Sequence, residues 1–325
     1  MKRTLTMSFI ITLVILGCAF ARSPAGTGTE PENTPSPQLS APPLDADADR
    51  HISLLYGEET LDIAVSDYLV GVLAAEMPVS FEPEALKAQA VAARSYLERN
   101  IAEHKHDKAD ICASPDCCQA YISESELKDS WGKNYDAYIS KLKAAVEDTD
   151  SEYLSYGGEA ALCAFHASSS GLTEDSGGLW GDRPYLVSVD SPETKEDVPN
   201  YISKKKLSEL DFRDTILFAH PEADMTGDPG TWIGKVRRND SGRVTEAVIG
   251  GVKFGGAELR ALFSLRSAAF TISHKDGYFT FKVTGSGHGV GMSQYGANVM
   301  AKEGSDYKQI LSHYYPGTVL TQSVK

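Results

Sequence analysis

Apolar residues recur three and four positions apart in two adjoining stretches, and these organise the chain. Leu69, Val72, Leu73 and Met77 form the first stripe; Pro78 disfavours helical geometry at Met77, so a helix is predicted to end at about Glu76. Pro83 then opens a second helix whose stripe is Leu86, Ala90, Ala93, Leu97 and Ile101, with an alanine-rich middle that permits close packing. Upstream the period is two: His51 to Tyr56 and Thr60 to Val65 alternate around Gly57-Glu58-Glu59, the pattern of a hairpin leading into the first helix.

Downstream, a helix is predicted from about Trp131 to Val146, and strands over Glu152–Tyr156 and Glu159–His166 around Gly157-Gly158. A further strand is predicted from Pro184 to Val189, and a charged surface helix from Lys204 to Asp214. Trp232–Arg238 and Arg243–Ile249 flank the turn residues Asn239 to Gly242, Gly255-Gly256 opens a helix, and a hairpin turns at Asp276-Gly277. The last strand runs into a glycine-rich stretch, Gly285 to Ala297, followed by a helix. The pattern is that of an α+β fold, mainly antiparallel strands with a helical region carrying Glu76, arranged as two lobes around a cleft.

Charge and composition add compartment and partners. Of 325 residues, 31 are Lys or Arg and 45 Asp or Glu, a net charge of −14 that argues against nucleic acid or an anionic membrane surface as the dominant partner. Residues 1–22 read as an N-terminal membrane anchor or signal: Met1-Lys2-Arg3 precedes an uncharged apolar run that ends at Arg22. Ile15-Leu16-Gly17-Cys18 resembles a lipoprotein cleavage site, but Leu16 is large for its place there, which favours an uncleaved anchor. Residues 23–50, rich in Pro, Ser and Thr, form no core and are expected to be a disordered tether to a domain spanning 51–325 outside the cytoplasm.

Four features carry candidate chemistry. Glu76, at a helix C-terminus among Ala74, Ala75 and Met77, is placed to retain a proton and act as an acid, or it is a solvated helix-end carboxylate. Arg94 can bind substrate or pair with Glu98 one turn on. His106, Cys112, Cys117 and Cys118 can hold a structural Zn2+, with a Cys112–Cys117 disulfide as the alternative in an oxidising compartment. The hydroxyl-rich turn Ala167 to Asp175 and the glycine-rich run 285–297 are suited to approach a sugar closely. There is no Gly-x-Ser-x-Gly elbow for a serine hydrolase and no phosphate-loop pattern for nucleotide binding.

Ala75-Glu76-Met77-Pro78, Lys87 to Arg94, Phe165-His166 with its serine-rich turn, Leu265-Arg266-Ser267, Gly287 to Gly296 and Tyr314-Tyr315-Pro316-Gly317 together resemble the SpoIID/LytB family. The resemblance implies a membrane-anchored lytic transglycosylase that cuts peptidoglycan glycan strands during engulfment in sporulation, preferring strands without stem peptides, with Glu76 as catalytic acid/base. It implies substrate contacts at Arg94, His166, Ser168, Ser170, Thr173, His288, Ser293, Gln294 and Tyr295, and zinc in the cysteine knuckle, where Cys117 stands in place of a family His. A partner amidase, a membrane protein of the engulfment machinery and a place on the mother-cell membrane facing the septal space are implied as well. Two readings from other classes are a non-catalytic peptidoglycan-binding enhancer of an autolysin, and a zinc hydrolase centred on the Cys/His segment.

Overall fold

The computed structural model describes residues 44–321. The expected anchor and the tether up to residue 43 lie outside the described residues, among which no helix is long and apolar enough to cross a membrane. Asp47 to Arg50 belong to the folded body and not to the tether, because the Asp47 side chain is buried.

Strands β1 (His51–Tyr56) and β2 (Glu59–Ala64) form the expected antiparallel hairpin, with His51 opposite Ala64 and Tyr56 opposite Glu59. Helix α1 (Val65–Glu76) follows directly and stops where Pro78 requires. Helix α2 (Pro83–Glu103) starts on its proline, and Ala85, Ala88, Ala90, Ala92 and Ala93 are fully buried along it. Strand β3 (Ile111–Cys112) then adds to β1 in parallel. The single helix expected over 131–146 is two: α3 (Glu124–Trp131), started by a Ser123–Glu126 capping box, and α4 (Tyr135–Glu147). Gly132, with φ of 49°, interrupts them.

Strands β4 (Tyr153–Tyr156), β5 (Glu159–Ala160) and β6 (Phe165–His166) replace the two longer strands expected here. The Pro184–Val189 strand does not form; its backbone bonds serve the preceding turn instead, Val189 accepting from Thr173 N at 2.8 Å. Lys204 to Ser208 is not helix but part of β7 (Ile202–Ser208), an edge strand whose Lys204 and Lys206 face solvent. Ser208 caps α5 (Glu209–Ala219) by accepting from Asp211 N. The three strands β8 (Ile233–Arg238), β9 (Val244–Ile249) and β10 (Val252–Gly255) form one meander, followed by α6 (Gly256–Leu262). β11 (Phe270–Lys275) and β12 (Tyr278–Thr284) form the hairpin about Asp276-Gly277, with β7 on the other edge of β12. The chain ends in β13 (Met292–Ser293), α7 (Gln294–Lys302), α8 (Tyr307–Tyr314) and β14 (Val319–Thr321).

The result is α+β with two hydrophobic cores. One surrounds α1 and α2 and includes α7 and α8, so the last helices pack against the second. The other is formed by α5, α6 and strands β8 to β12, and its largest fully buried side chains are phenylalanines. β13 pairs in parallel with β6, Met292 opposite Phe165 and Ser293 opposite His166, which joins the glycine-rich run to the serine-rich turn.

Candidate functional site

Glu76 sits on the last turn of α1, half-buried, at the wall of a pocket of about 520 Å³ that also contains His166, His288, Tyr96, Trp180 and Gln119. Its height in the pocket is set by close approach: Gly71 lies against the ring of Tyr121 and the carbonyl of Ile122, where a Cβ would collide. That contact draws residues 119–122 along α1, so Ala120 N–H donates to Glu76 Oε1 at 2.8 Å. Gln119 fastens the same segment, its Nε2 donating to Tyr68 Oη and to Ala93 O, both at 3.2 Å. Burial pushes the Glu76 carboxyl above the ordinary carboxylate range, opposed in part by the Ala120 hydrogen bond. The other carboxylates lining this pocket, Glu103 and Asp116, are exposed, and Glu103 is paired with Arg99 at 2.6 Å.

The segment that presents Ala120 begins in the Cys/His cluster. Its donor atoms, on His106, Cys112, Cys117 and Cys118, all lie within 4.8 Å of one another. His106 Nε2 is 3.2 Å from Cys118 Sγ and 4.0 Å from Cys117 Sγ, and the two sulfurs are 3.9 Å apart. A tetrahedron with Zn–S of about 2.3 Å and Zn–N of about 2.0 Å has edges of roughly 3.5–3.8 Å, so this donor set fits zinc. The three thiols are free, and Lys105 Nζ stands 3.6 Å from Cys118 Sγ. Asp110 anchors the start of the knuckle by accepting from Ser53 N at 2.8 Å and Ser53 Oγ at 2.7 Å.

Phe165 and His166, just before the serine-rich turn, and Gly287 and His288 of the glycine-rich run line the same pocket. Gly287, with φ of 106°, lets the backbone pass His166; a Cβ there would lie 2.7 Å from the His166 Cβ. His166 Nδ1 lies 3.2 Å from Val290 O, an arrangement in which Nδ1 donates and Nε2 keeps an acceptor lone pair without a hydrogen-bond partner. His288 Nδ1 accepts from Val290 N at 3.1 Å. Burial drives both imidazoles down, His288 to about 4, with His288 and Arg243 lowering His166 further. Both rings are therefore neutral at physiological pH.

The remaining expected contacts fall elsewhere. Arg94 is not exposed to substrate: its side chain is 0% accessible and its Nε donates to Asp47 Oδ1 and Oδ2 at 3.0 and 2.9 Å, with Nη1 on Glu152 O. Its partner is Asp47, not Glu98. Ser168, Thr173, Ser293 and Gln294 are buried too. Thr173 Oγ1 accepts from Val189 N, Ser293 Oγ donates to Glu193 Oε1, and Gln294 Nε2 donates to Gln89 Oε1. Ser170 donates to Ser241 O, and Tyr295 stacks edge-on against Phe81 at 4.9 Å. These residues build the turns; the pocket itself is presented by Glu76, His166 and His288.

Three contributors escaped the sequence reading. Trp180, 46% exposed, meets His288 edge-on at 4.6 Å and offers a face on which a sugar can stack. Its signal was a lone aromatic between glycines, Gly177-Gly178-Leu179-Trp180-Gly181. Gln119, next to the cysteines, had no signal of its own. Glu193, buried, binds Ser169 N at 2.6 Å and the hydroxyls of Ser191 and Ser293 at 2.5 Å, holding both turns together.

Residues 58–156, which include Glu76 and the Cys/His cluster, match the family model described as SpoIID, Stage II sporulation protein. The chain is 36% identical over 266 residues to Stage II sporulation protein D of Bacillus amyloliquefaciens, covering 81% of this chain and 75% of that one. To Stage II sporulation protein D of Bacillus subtilis (strain 168) it is 32% identical over 312 residues, 94% of this chain and 88% of that one. It is also 29% identical over 303 residues to the Amidase enhancer of the same strain, covering 78% and 40%. With two relatives above 30% identity, each covered over most of its length, and with the family match falling on Glu76 and the cysteine knuckle, the chain belongs to the stage II sporulation protein D (SpoIID) family.

Proposed function

We propose that this protein is a lytic transglycosylase that cleaves peptidoglycan glycan strands, leaving 1,6-anhydro-N-acetylmuramic acid ends, with Glu76 as acid and then base. The observation that carries the reading is a half-buried carboxyl, raised above its ordinary range by burial, on the wall of a pocket with two neutral histidines. Protonated Glu76 donates to the glycosidic oxygen as positive charge develops on the muramic acid ring. The resulting carboxylate takes the proton of the 6-hydroxyl, whose oxygen closes onto C1. One proton leaves Glu76 and one returns, so a single carboxyl completes the cycle without water. His166 Nε2 can accept from a sugar hydroxyl, and Trp180 can stack on a ring face.

The Cys/His cluster is, in this reading, a closed structural zinc site: four protein ligands leave no position for a substrate or water. Its contribution is to fix residues 117–120 and so the donor on Glu76. Residues 1–22 anchor the domain in the mother-cell membrane, facing the septal space, where an amidase that strips stem peptides and a membrane protein of the engulfment machinery act beside it.

The test is product mass. The full-length chain, given glycan strands without stem peptides, should release anhydro-ended fragments, and the Glu76→Gln chain none. Fragments heavier by one water would make the enzyme a hydrolase. Binding without cleavage by the unmutated chain would favour the enhancer reading, which the likeness to the Amidase enhancer also supports.

A further inference from the structure

The sheet of β11, β12 and β7 turns one face to the aromatic core and the other to solvent. On the outer face Lys204 lies directly opposite Lys282, Lys206 opposite Thr280, and Tyr278 opposite both Ser208 and Lys275. Four outward positions fall on β7, four on β12 and three on β11; four of these are lysines and none is Asp or Glu. Lys205, between two of them, points the other way and donates to Phe263 O at 2.7 Å. The acids of α5 belong to a helix packed on the buried face, where Phe212 stacks on Phe279, so carboxylates meet the outer face only at its end, at Asp276 and where Ser208 caps α5.

Lysine on an edge strand guards against pairing with another sheet, which accounts for Lys204 and Lys206 on β7. It does not account for Lys282, on the central strand β12. Like charges directly opposite one another destabilise a sheet, yet Lys204 faces Lys282, and the ion pairs of this sheet are made elsewhere in it, by His274 and Lys275. Lys206 is held over the Tyr278 ring, 3.7 Å from its centroid. Beyond Lys282 the face runs into a groove of about 340 Å³, which adds Arg238 and the hydroxyls of Thr271, Thr284 and Ser170 and has no carboxylate in its lining. A chain of net charge −14 thus carries a track of unbalanced cations, Lys206, Lys204, Lys282 and Arg238.

We propose that this face and its groove bind a linear polyol-phosphate polymer of the cell wall. At ordinary strand geometry lysines two apart on β7 are roughly 6.6 Å apart and lysines on adjacent strands roughly 4.8 Å apart, so one phosphodiester can sit between Lys204 and Lys282 and the next beside Lys206. Lysine is a compact point charge that serves phosphate without the planar fork that a carboxylate rewards, and the threonines offer hydrogen bonds to the polyol. A bilayer is flat and cannot enter the groove, and the outer face offers it Ile202 as its one aliphatic side chain. Ser170 of the groove stands in the turn that follows His166 of the Glu76 pocket, so a polymer joined to a glycan strand touches this turn while the strand occupies the pocket, which raises the local concentration of the strand. The choice of a wall polymer rests on the peptidoglycan reading of the Glu76 pocket; the phosphate chemistry does not, and the test separates the two.

The probe is an unbranched glycerol-phosphate oligomer, titrated by calorimetry against the full-length chain at low salt. It should bind, and more weakly as salt rises. Lys204→Gln combined with Lys282→Gln should weaken binding roughly ten-fold or more, the scale of two cations lost from an anionic partner, while the corresponding pair of arginine substitutions should keep it. Both lysines are exposed, and removing a like-charge pair should leave the melting temperature unchanged or raise it, so a loss of affinity is not a loss of fold. The glutamine pair should also cut phosphate-free glycan strands as fast as the unmutated chain. Absence of binding, or binding that the glutamine pair does not alter, overturns the proposal. So does equal affinity for a polyadenylate of the same charge, the mark of a general polyanion face, or tighter lysine-dependent binding to phosphatidylglycerol vesicles. If the oligomer binds through the lysines but the unmutated chain makes no anhydro ends, the phosphate face stands and the transglycosylase reading falls; if anhydro ends form and the oligomer does not bind, the reverse holds.

Discussion

The two cores of this molecule are held together by different chemistry. Around α2, buried polar side chains are tied into specific bonds: Ser95 Oγ donates to Val91 O at 2.6 Å and accepts from Leu154 N at 2.8 Å, Asn100 donates to Tyr96 O at 2.7 Å, and Gln119 and Arg94 are fastened as described. Around β12 the interior is aromatic, Phe212 stacking on Phe279 at 4.0 Å and on Phe263 at 5.2 Å, with Trp232 against Phe279 at 5.8 Å. Truncating a side chain of the aromatic cluster leaves a void; truncating one of the hydrogen-bonded polar side chains leaves an unpaired partner. The difference bears on the proposed site, because Glu76 ends a helix of the first core, whereas the second reaches the adjoining pocket through residues such as Arg243, Val244 and Arg260.

The sharpest way to break this comparison is at Glu76. Glu76→Gln should reduce cleavage by at least about 10²–10⁴-fold with folding intact, measured as anhydro ends released per unit time. Unchanged cleavage would remove Glu76 from the chemistry altogether. Cleavage by the unmutated chain should also fall as pH rises through the elevated Glu76 pKa, since the donor must carry its proton.

Next in size are two stability losses of similar magnitude but different origin. Phe279→Ala should cost about 3–5 kcal/mol by opening a cavity, yet leave the activity of the folded fraction unchanged. Asp47→Ala should cost about 3–5 kcal/mol because it strands the buried Arg94 charge, and Asp47→Ala with Arg94→Met should recover part of it. Denaturant unfolding measures both, and a near-neutral Asp47→Ala would show that residues before β1 do not brace the fold.

Smaller effects follow the path from the cysteines to Glu76. Gln119→Ala should cost about 1–3 kcal/mol and lower activity as well, since it frees the segment that carries Ala120 N. Metal analysis should find about one zinc per chain, and Cys118→Ser or chelation should lower the melting temperature and cleavage together. A Cys112–Cys117 disulfide without metal would remove that link. The smallest effect has the opposite sign. Burial raises the folded-state pKa of Glu76, so stability is lost as pH rises through it, and Glu76→Gln should melt higher than the unmutated chain at neutral pH, with the gap closing in acid.

How much of this could be read from residues alone differs between the same two regions. Helices α1 and α2 were legible because Pro78 and Pro83 fix their boundaries and their apolar periods are unbroken. β7 was not, since Lys204, Lys205 and Lys206 in a row suggest a solvated helix, and only the pairing with β12 makes an edge strand of them. The place of Glu76 at the end of α1 was legible from Pro78; the half-burial of its carboxyl was not, since the residues alone left a solvated helix end open. The fate of Arg94 was not, because its partner Asp47 lies in a stretch whose composition resembles linker. Hydroxyls in the serine-rich turn read as ligand contacts, yet Thr173 and Ser170 spend theirs on backbone groups, Val189 N and Ser241 O.

The parallel pairing of β13 with β6 has a consequence for the order in which the protein comes into being. Glu76, His166 and His288 are far apart in sequence, and Met292 must find Phe165 before the pocket lining is complete. Closing loops of that length carries an entropic cost that is recovered only when the late segments dock, so folding is governed by non-local contacts and is expected to be slow. A nascent chain that has already made α1 therefore carries Glu76 but no enclosing pocket. If the Glu76 pocket is the site of cleavage, a product truncated before Gly287, which lacks Gly287 and His288 of its lining, should be inert toward glycan however much of its helical core has formed.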